Sequence, residues 1–161
     1  KPVFADDGSV TAGNASQLSD GASMTLVMSL DKAIELGLKP RAFFRGFTVA
    51  GCEPDEMGIG PVFSVPKLLK AKALQVADID LWELNEAFAS VVLRYVQAMK
   101  LDHDQINVNG GAIAMGHPLG ATGAMVLGTA LDELERSGKG TALINLCVGA
   151  GMGTGIIIER I

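Results

Sequence analysis

The chain has 161 residues, of which 48% are hydrophobic and 19% are charged, and its formal net charge at pH 7 is −5. This length and composition exclude a disordered chain and predict one domain with a buried core, while the acidic balance without a dense Lys/Arg run argues against a nucleic-acid partner. No apolar run reaches the length of a membrane span, and two distant cysteines without metal-ligand spacing predict reduced thiols in the cytoplasm and no metal site.

The first half of the chain alternates strand and helix signals. After a loop rich in Gly, Ser and Asp, "DGASMTLVMSL" (20–30) predicts a strand, and "DKAIELGL" (31–38) predicts a short helix that ends at Gly37. Aromatic and β-branched residues predict a long strand in "RAFFRGFTVAG" (41–51). Apolar residues at helical spacing predict a helix in "PVFSVPKLLKAKAL" (61–74).

The second half repeats this pattern and closes with two strands. A short strand "DIDLWEL" (78–84) precedes the helix "AFASVVLRYVQAMKL" (87–101), and a further helix "GAMVLGTALDELERSG" (123–138) precedes the strands "TALINLCVG" (141–149) and "TGIIIERI" (154–161). The order β-α-β-α-β-α-β-β predicts an α/β layer structure with a mixed, mostly parallel sheet. The last two strands are expected to pair antiparallel at an edge of that sheet.

His117 stands in a glycine-rich segment, "NVNGGAIAMGHPLGATGA" (107–124), and Pro118 can occupy the first turn of a helix. Backbone N–H groups at a helix N-terminus disfavour an imidazolium and stabilise negative charge, which suits a neutral imidazole acting as a base or an oxyanion donor. A lone histidine is more often structural, but the surrounding glycines leave this ring accessible.

Asn85 and Cys147 are the other candidates. Asn85 and Glu86 separate a strand from a helix, where a helix N-cap explains them as well as a functional role does. Cys147 ends an apolar strand before a glycine-rich turn, so it is either an inert buried thiol or a thiol whose pKa is lowered by free N–H groups that also form an oxyanion hole. A phosphate-binding loop is disfavoured because neither GxxxxGK[ST] nor GxGxxG is present. Asn, His and Cys at three strand ends are the side chains that acyl transfer requires.

Four motifs in order resemble those of the thiolase family, the acetyl-CoA acetyltransferases and 3-ketoacyl-CoA thiolases: "VTAGNASQLSDGAS" (10–23), "NEAFA" (85–89), "NVNGGAIAMGHPLGATGA" (107–124) and "LCVGAGMGTG" (146–155). The similarity spans essentially the whole chain. It implies a βαβαβαββ half of a five-layer αβαβα sandwich. By this resemblance, residues 1–40 would finish the N-terminal thiolase half and residues 41–161 would form the C-terminal thiolase domain.

The resemblance also implies acyl transfer between 3-ketoacyl-CoA and CoA, or the reverse Claisen condensation of acetyl-CoA, within fatty acid metabolism and β-oxidation. Coenzyme A is the implied cosubstrate, with no other cofactor and no metal. The family's nucleophilic cysteine lies in the N-terminal half, so the chain reads as a fragment that is inactive alone. Its implied partners are acyl-CoA, the missing N-terminal half and further copies in a dimer or tetramer.

The same motifs imply roles for individual residues. His117 would activate the absent cysteine and bind the thioester oxygen together with a water held by Asn85. Cys147 would be the acid/base cysteine, and the Gly149 N–H would contribute to a second oxyanion hole.

Substrate contacts are implied for Ser16, which resembles a family contact to the pantetheine arm. Phe88, Met57 and Met115 are expected in the acyl pocket, although each is equally explained as a core residue. One departure is visible: the third motif resembles C-x-G-G-G-x-G, but Ala150 replaces the middle glycine. This change matters only if the position requires a positive φ.

Two alternatives stay open. A condensing enzyme of the ketoacyl synthase kind would need a second active-site histidine, yet His103 in "KLDHDQ" (100–105) reads as solvated. The chain could instead be a non-catalytic assembly module, because half of a two-half sandwich would expose core-like surface.

Overall fold

The computed structural model describes residues Lys1–Ile161, which form one four-stranded sheet with helices on both faces. The helices are α1 (Leu30–Glu35), α2 (Gly60–Lys72), α3 (Ala89–Met99), α4 (Ala112–Met115) and α5 (Leu119–Ser137). The strands are β1 (Ala42–Gly51), β2 (Leu81–Leu84), β3 (Thr141–Val148) and β4 (Met152–Arg160). Short 3-10 turns cover Pro54–Ile59, Val76–Asp78 and His103–Gln105.

The strands are arranged in the order β1-β4-β3-β2. Strands β2 and β3 pair in parallel, and β4 pairs antiparallel with both β3 and β1, so β4 alone runs against the other three. The mixed, mostly parallel sheet and the antiparallel β3–β4 pair are therefore confirmed. The predicted edge position of that pair is wrong, because β4 buries Ile157 on one face of the sheet and Ile158 on the other and lies between two strands.

The strand predicted within residues 20–30 is absent. Residues 20–29 have no regular structure, and Met24, Leu26 and Val27 are largely exposed. Strand propensity reflects packing and pairing, and this segment pairs with none of the four strands of the sheet. The following helix is present as predicted: the Ser29 side chain accepts the Lys32 N–H at its start, and Gly37 follows its end with a φ of +65°.

Two apolar clusters hold the layers together. Helices α2 and α3 cover one face of the sheet around Trp82, Leu143 and Ile157, and α5 covers the opposite face. Along β2 the side chains alternate, so Trp82 and Leu84 pack towards α2 and α3 while Leu81 packs towards α5. This alternation also directs the polar residue between Trp82 and Leu84 towards α5.

Asn107 closes the open edge of β2. Its backbone N–H donates to the Trp82 carbonyl at 2.9 Å, its Oδ1 accepts the Leu84 N–H at 2.9 Å, and its Nδ2 donates to the Leu84 carbonyl at 3.0 Å. The residue has a φ of +49°, which asparagine tolerates better than most residues. These bonds provide partners for the backbone groups of Trp82 and Leu84 at the edge of β2, and they attach the glycine-rich segment to the end of this strand.

Apolar surface remains uncovered on β1 and in residues 20–29. Phe43, Phe44 and Phe47 are all exposed along β1. Such a patch is what the assembly-module alternative predicts. None of the helices combines the length and apolar character of a membrane-crossing segment.

Candidate active site

The candidate residues gather where β2 and β3 end. The Asn85 N–H donates to the Asn145 carbonyl at 3.0 Å, which extends the parallel ladder by one residue beyond Leu84. Cys147 lies two residues beyond Asn145 on β3. Asn85 and Cys147 therefore lie at the same end of the sheet, because the carboxyl ends of parallel strands lie on the same side.

The segment of residues 14–17 joins two of the loops that form the site. The Ser16 N–H donates to the Ala87 carbonyl at 2.8 Å, and the His117 N–H donates to the Gln17 carbonyl at 2.8 Å. Ser16 thus lies beside the loop that carries Asn85. The sequence assigned Ser16 alone, either as a substrate contact or as a turn residue, and did not predict that its segment joins these loops. The only signal is Asn14, whose Oδ1 accepts the Thr11 N–H at 2.7 Å in a turn.

Hydrogen bonds on both ring nitrogens fix the His117 imidazole. The Thr122 hydroxyl lies 2.7 Å from Nδ1 and donates its own hydrogen to the Pro118 carbonyl at 2.9 Å. Because the hydroxyl hydrogen already bonds the Pro118 carbonyl, Thr122 Oγ1 can only accept from the ring. Nδ1 therefore carries the ring proton and donates a hydrogen bond to Thr122 Oγ1. Nε2 is then an acceptor, and the Asn85 Nδ2 lies 3.2 Å from it.

The charge state of His117 agrees with this arrangement. Burial lowers the pKa of His117, so the ring is neutral at pH 7. The prediction of a neutral imidazole near a helix start holds, since α5 begins at Leu119, but the cause of the lowered pKa is burial. Thr122 was not predicted; its position four residues after Pro118, on the same helix face, is the only sequence signal.

Asn85 is not a helix cap. Helix α3 begins at Ala89 after Phe88, and no side chain caps it. The Asn85 side chain is only 2% exposed, and its Oδ1 has no hydrogen-bond partner in the chain. A buried amide bonded on one side to an imidazole is typical of a functional residue rather than a turn residue.

Glu86 supports the glycine-rich segment. Its carboxylate accepts the Ile113 N–H at 3.2 Å. A side chain at Gly111 would collide with this carboxylate, since an added Cβ would lie 2.8 Å from the Glu86 Cβ. Gly111 is therefore needed for the close approach of the segment to the end of β2.

Cys147 is half-buried at the end of β3, and it packs against the apolar cluster that includes α2 and α3. The expectation of a lowered thiol pKa is wrong: burial raises the pKa of Cys147, and the nearby Cys52 adds a smaller increase. The thiol is protonated at neutral pH. No hydrogen bond joins Cys147 to His117, whose ring nitrogens are bonded to Asn85 and Thr122.

Gly149 lies in the exposed turn between β3 and β4. In this turn Ala150 has a φ of +66° and Gly151 has a φ of +82°. The alanine that departs from the family motif thus occupies a left-handed conformation, which glycine adopts without strain.

The predicted acyl-pocket residues come from three different segments of the chain. Phe88 packs against the same cluster as Cys147 and makes an edge-on contact with Phe4. Met115 is 54% exposed and lines a small cavity together with Asn85. Met57 is exposed in the 3-10 turn Pro54–Ile59.

The second histidine lies outside this site. His103 is exposed in the 3-10 turn His103–Gln105, and its ring makes no hydrogen bond. Of the two histidines of this chain, His117 alone therefore belongs to the candidate site.

Comparison with known proteins identifies the family. The family model for the thiolase C-terminal domain matches residues 38–160, and the model for the thiolase N-terminal domain matches residues 1–31. The chain belongs to the thiolase family. This thiolase chain is 50% identical over 160 residues to an acetyl-CoA acetyltransferase of Chromobacterium violaceum and 50% identical over 162 residues to the peroxisomal 3-ketoacyl-CoA thiolase 5 of Arabidopsis thaliana.

The thiolase fold is confirmed by a solved structure. The crystal structure of the Bacillus anthracis acetyl-CoA acetyltransferase superposes with a TM-score of 0.97 at 45% identity, covering 100% of this chain and 41% of that one. The two sequence relatives are each matched over 99% of this chain, which spans 41% of the Chromobacterium protein and 35% of the Arabidopsis protein. The thiolase chain described here thus corresponds to about two fifths of such proteins.

Proposed function

We propose that this chain supplies the C-terminal part of a thiolase active site, which transfers an acyl group between 3-ketoacyl-CoA and CoA or condenses acetyl-CoA in the reverse direction. The observation that carries the proposal is the hydrogen-bonded His117–Asn85 pair at the end of β2, with the Cys147 thiol at the same end of the sheet. The nucleophilic cysteine comes from the part of the protein that these residues do not include.

His117 is the base for that cysteine. Its Nδ1 proton is held by Thr122, so Nε2 exchanges its hydrogen bond from Asn85 for the thiol proton while the sulfur attacks the keto carbon of the 3-ketoacyl-CoA. The imidazolium that forms then donates from Nε2 to the thioester oxygen, which becomes negatively charged as the carbon–carbon bond breaks. Asn85 Nδ2 points to the same region and holds a water as the second donor.

Cys147 is the acid in thiolysis. Because its pKa is raised, the thiol carries its proton at neutral pH. As the carbon–carbon bond breaks, the acyl group stays on the nucleophilic cysteine and the acetyl-CoA carbanion takes the proton from the Cys147 sulfur. Coenzyme A then gives its thiol proton to the Cys147 thiolate and attacks the acyl-cysteine, and the Gly149 N–H stabilises the tetrahedral intermediate. The shortened acyl-CoA is released, and the departing cysteine thiolate takes its proton back from His117.

Substrate and assembly follow from the same proposal. Ser16 contacts the pantetheine arm of CoA, and Phe88, Met57 and Met115 line the acyl pocket. The exposed apolar surface of β1 and residues 20–29 is covered in a dimer or tetramer or by the remainder of the protein. Coenzyme A serves as a cosubstrate, and the reaction needs no metal or other cofactor.

The test is thiolysis of acetoacetyl-CoA by the complete polypeptide, in which these residues follow an N-terminal thiolase segment. His117→Ala is expected to lower kcat by at least about a hundredfold, the usual contribution of a general base. The matched control is His103→Ala, which removes the other, exposed histidine and leaves kcat unchanged.

The 161-residue chain alone is expected to be inactive. Activity in the chain alone would mean that Cys52 or Cys147 is the nucleophile and would overturn the division of roles. A folded complete polypeptide without thiolysis would favour the assembly module instead.

A further inference from the structure

A small cavity lies beside Asn85 at the end of β2. It has a volume of about 50 Å³ and lies between the end of β2, residues 110–116 and the first half of α5. Its polar lining includes Glu83, Asn85, Glu86 and Thr122. A space of this size can hold one water where polar groups such as these face it.

Two buried groups at this cavity lack hydrogen bonds. Asn85 Oδ1 is an acceptor without a donor. Glu83 is only 4% exposed, and its carboxyl group makes no hydrogen bond and no ion pair. The first group needs a donor, and a protonated carboxyl group is one.

The charges around Glu83 favour its protonated form. On α5 it faces Glu133, whose carboxylate is bonded to Arg136 and Asn109 and stays negatively charged. Glu86 lines the same cavity at the end of β2, and Asn85 lies between this cavity and the neutral His117, to which it is hydrogen-bonded.

The neighbours of Glu83 on β3 are uncharged, because Ile144 pairs with it and the Asn145 amide donates to its carbonyl. With no cation beside it, burial and the charge of Glu133 raise the pKa of Glu83 to about 8.

We propose that Glu83 is a positioning residue of the thiolase site: its protonated carboxyl group donates to Asn85 Oδ1, directly or through one water in the shared cavity. Side chains two residues apart on a strand point to the same face, so both groups reach this space. The donor locks the amide with Nδ2 towards His117 Nε2. This inference rests on the role of the His117–Asn85 pair proposed above.

Deprotonation of Glu83 removes the donor and places a second acceptor beside Oδ1. The Asn85 amide then flips, because Nδ2 can donate to the Glu83 carboxylate, and Oδ1 instead of Nδ2 faces the imidazole. The site loses its second oxyanion donor, so kcat falls while the groups that bind CoA are untouched.

The experiment measures kcat and KM for acetoacetyl-CoA thiolysis between pH 6 and 10 in the complete polypeptide. The unchanged protein is expected to lose kcat above about pH 8. Glu83→Gln keeps a donor and cannot ionise, so it is expected to retain at least a third of kcat at pH 7 and to lose the decline near pH 8. Glu83→Leu has no donor and is expected to lose roughly tenfold in kcat with KM unchanged, the effect of one lost hydrogen bond.

The control is Glu53→Gln, which removes the same charge from an exposed site. A decline near pH 8 that persists in Glu83→Gln overturns the inference, as does an equal loss of kcat in Glu83→Gln and Glu83→Leu. If Glu83→Leu does not fold, the pH profile of Glu83→Gln decides alone. Failure of the proposed function is separate, because it appears as full activity in His117→Ala.

Discussion

Replacing Glu83 with glutamine should remove much of the loss of folding stability between pH 5 and pH 8. In the folded chain burial and Glu133 raise the pKa of Glu83 from 4.5 to about 8. The folded state therefore binds this proton more tightly than the unfolded state does. Its contribution to stability is complete below about pH 4.5 and is lost as the pH rises through 8.

The magnitude follows from linkage. One pKa unit corresponds to about 1.4 kcal/mol, so a shift of this size costs about 3 to 4 kcal/mol of unfolding free energy between pH 5 and pH 8. His117, whose pKa is lowered, acts in the opposite direction and loses stability as the pH falls below its ordinary value. That contribution is the same in both proteins, so it cancels in the difference between Glu83→Gln and the parent.

Urea unfolding followed by the fluorescence of Trp82 provides the assay. Trp82 is the single tryptophan, it is 1% exposed, and it adjoins the substituted residue. Glu83→Gln should gain about 3 kcal/mol relative to the parent on going from pH 5 to pH 8, and Glu53→Gln should follow the parent. Parallel pH dependences in Glu83→Gln and the parent would show that the carboxyl group is already ionised in the fold, and the reasoning would fail.

Three further substitutions test the backbone and the imidazole network. Ala150→Gly should stabilise the chain by about 1 kcal/mol, because the position has a positive φ. The control Ala71→Gly, near the end of α2, should destabilise it by up to about 1 kcal/mol. If both substitutions change the free energy of unfolding in urea in the same direction, Ala150 is not strained. Gly153→Ala should lower the free energy of unfolding by about 3 kcal/mol or more, since the added Cβ would collide with the backbone at the start of α2. The control Gly123→Ala adds a Cβ into open space in α5 and should be neutral or stabilising in the same assay. Thr122→Val should lower the free energy of unfolding by about 1 to 2 kcal/mol and let the His117 imidazole populate both tautomers. A single, unchanged tautomer in the ¹⁵N NMR spectrum of the variant would contradict the His117–Thr122 hydrogen bond.

Local patterns predicted most of the elements. Val65, Leu68 and Leu69 are buried on one face of α2, as their helical spacing indicated. The short helix before Gly37 is equally local, because a capping serine and a terminating glycine act within a few residues of each other. The strand in residues 20–30 failed because its stability depends on a distant pairing partner.

The site was predicted as a set of residues rather than as a geometry. The motifs singled out Asn85, His117 and Cys147, and the fold brings the first two into hydrogen-bond contact and places the third at the same end of the sheet. Thr122 and Glu83 were missed because one is an ordinary helix residue and the other an ordinary strand residue until the fold buries them.

The sequence by itself determined helices α1, α2, α3 and α5, the strands from β1 onwards, the turn glycines and the thiolase motifs, since these depend on residue types at short spacing. The one-turn helix α4 was not predicted. Only the tertiary structure decided that β4 lies inside the sheet, that residues 14–17 join the two site loops, and that Asn85 bonds His117. It also decided the direction of the Cys147 pKa shift, because burial outweighs the hydrogen bond from the residue's own backbone. Strand order, burial and the field of distant charges arise from contacts far apart in the chain, and no local pattern of residues encodes them.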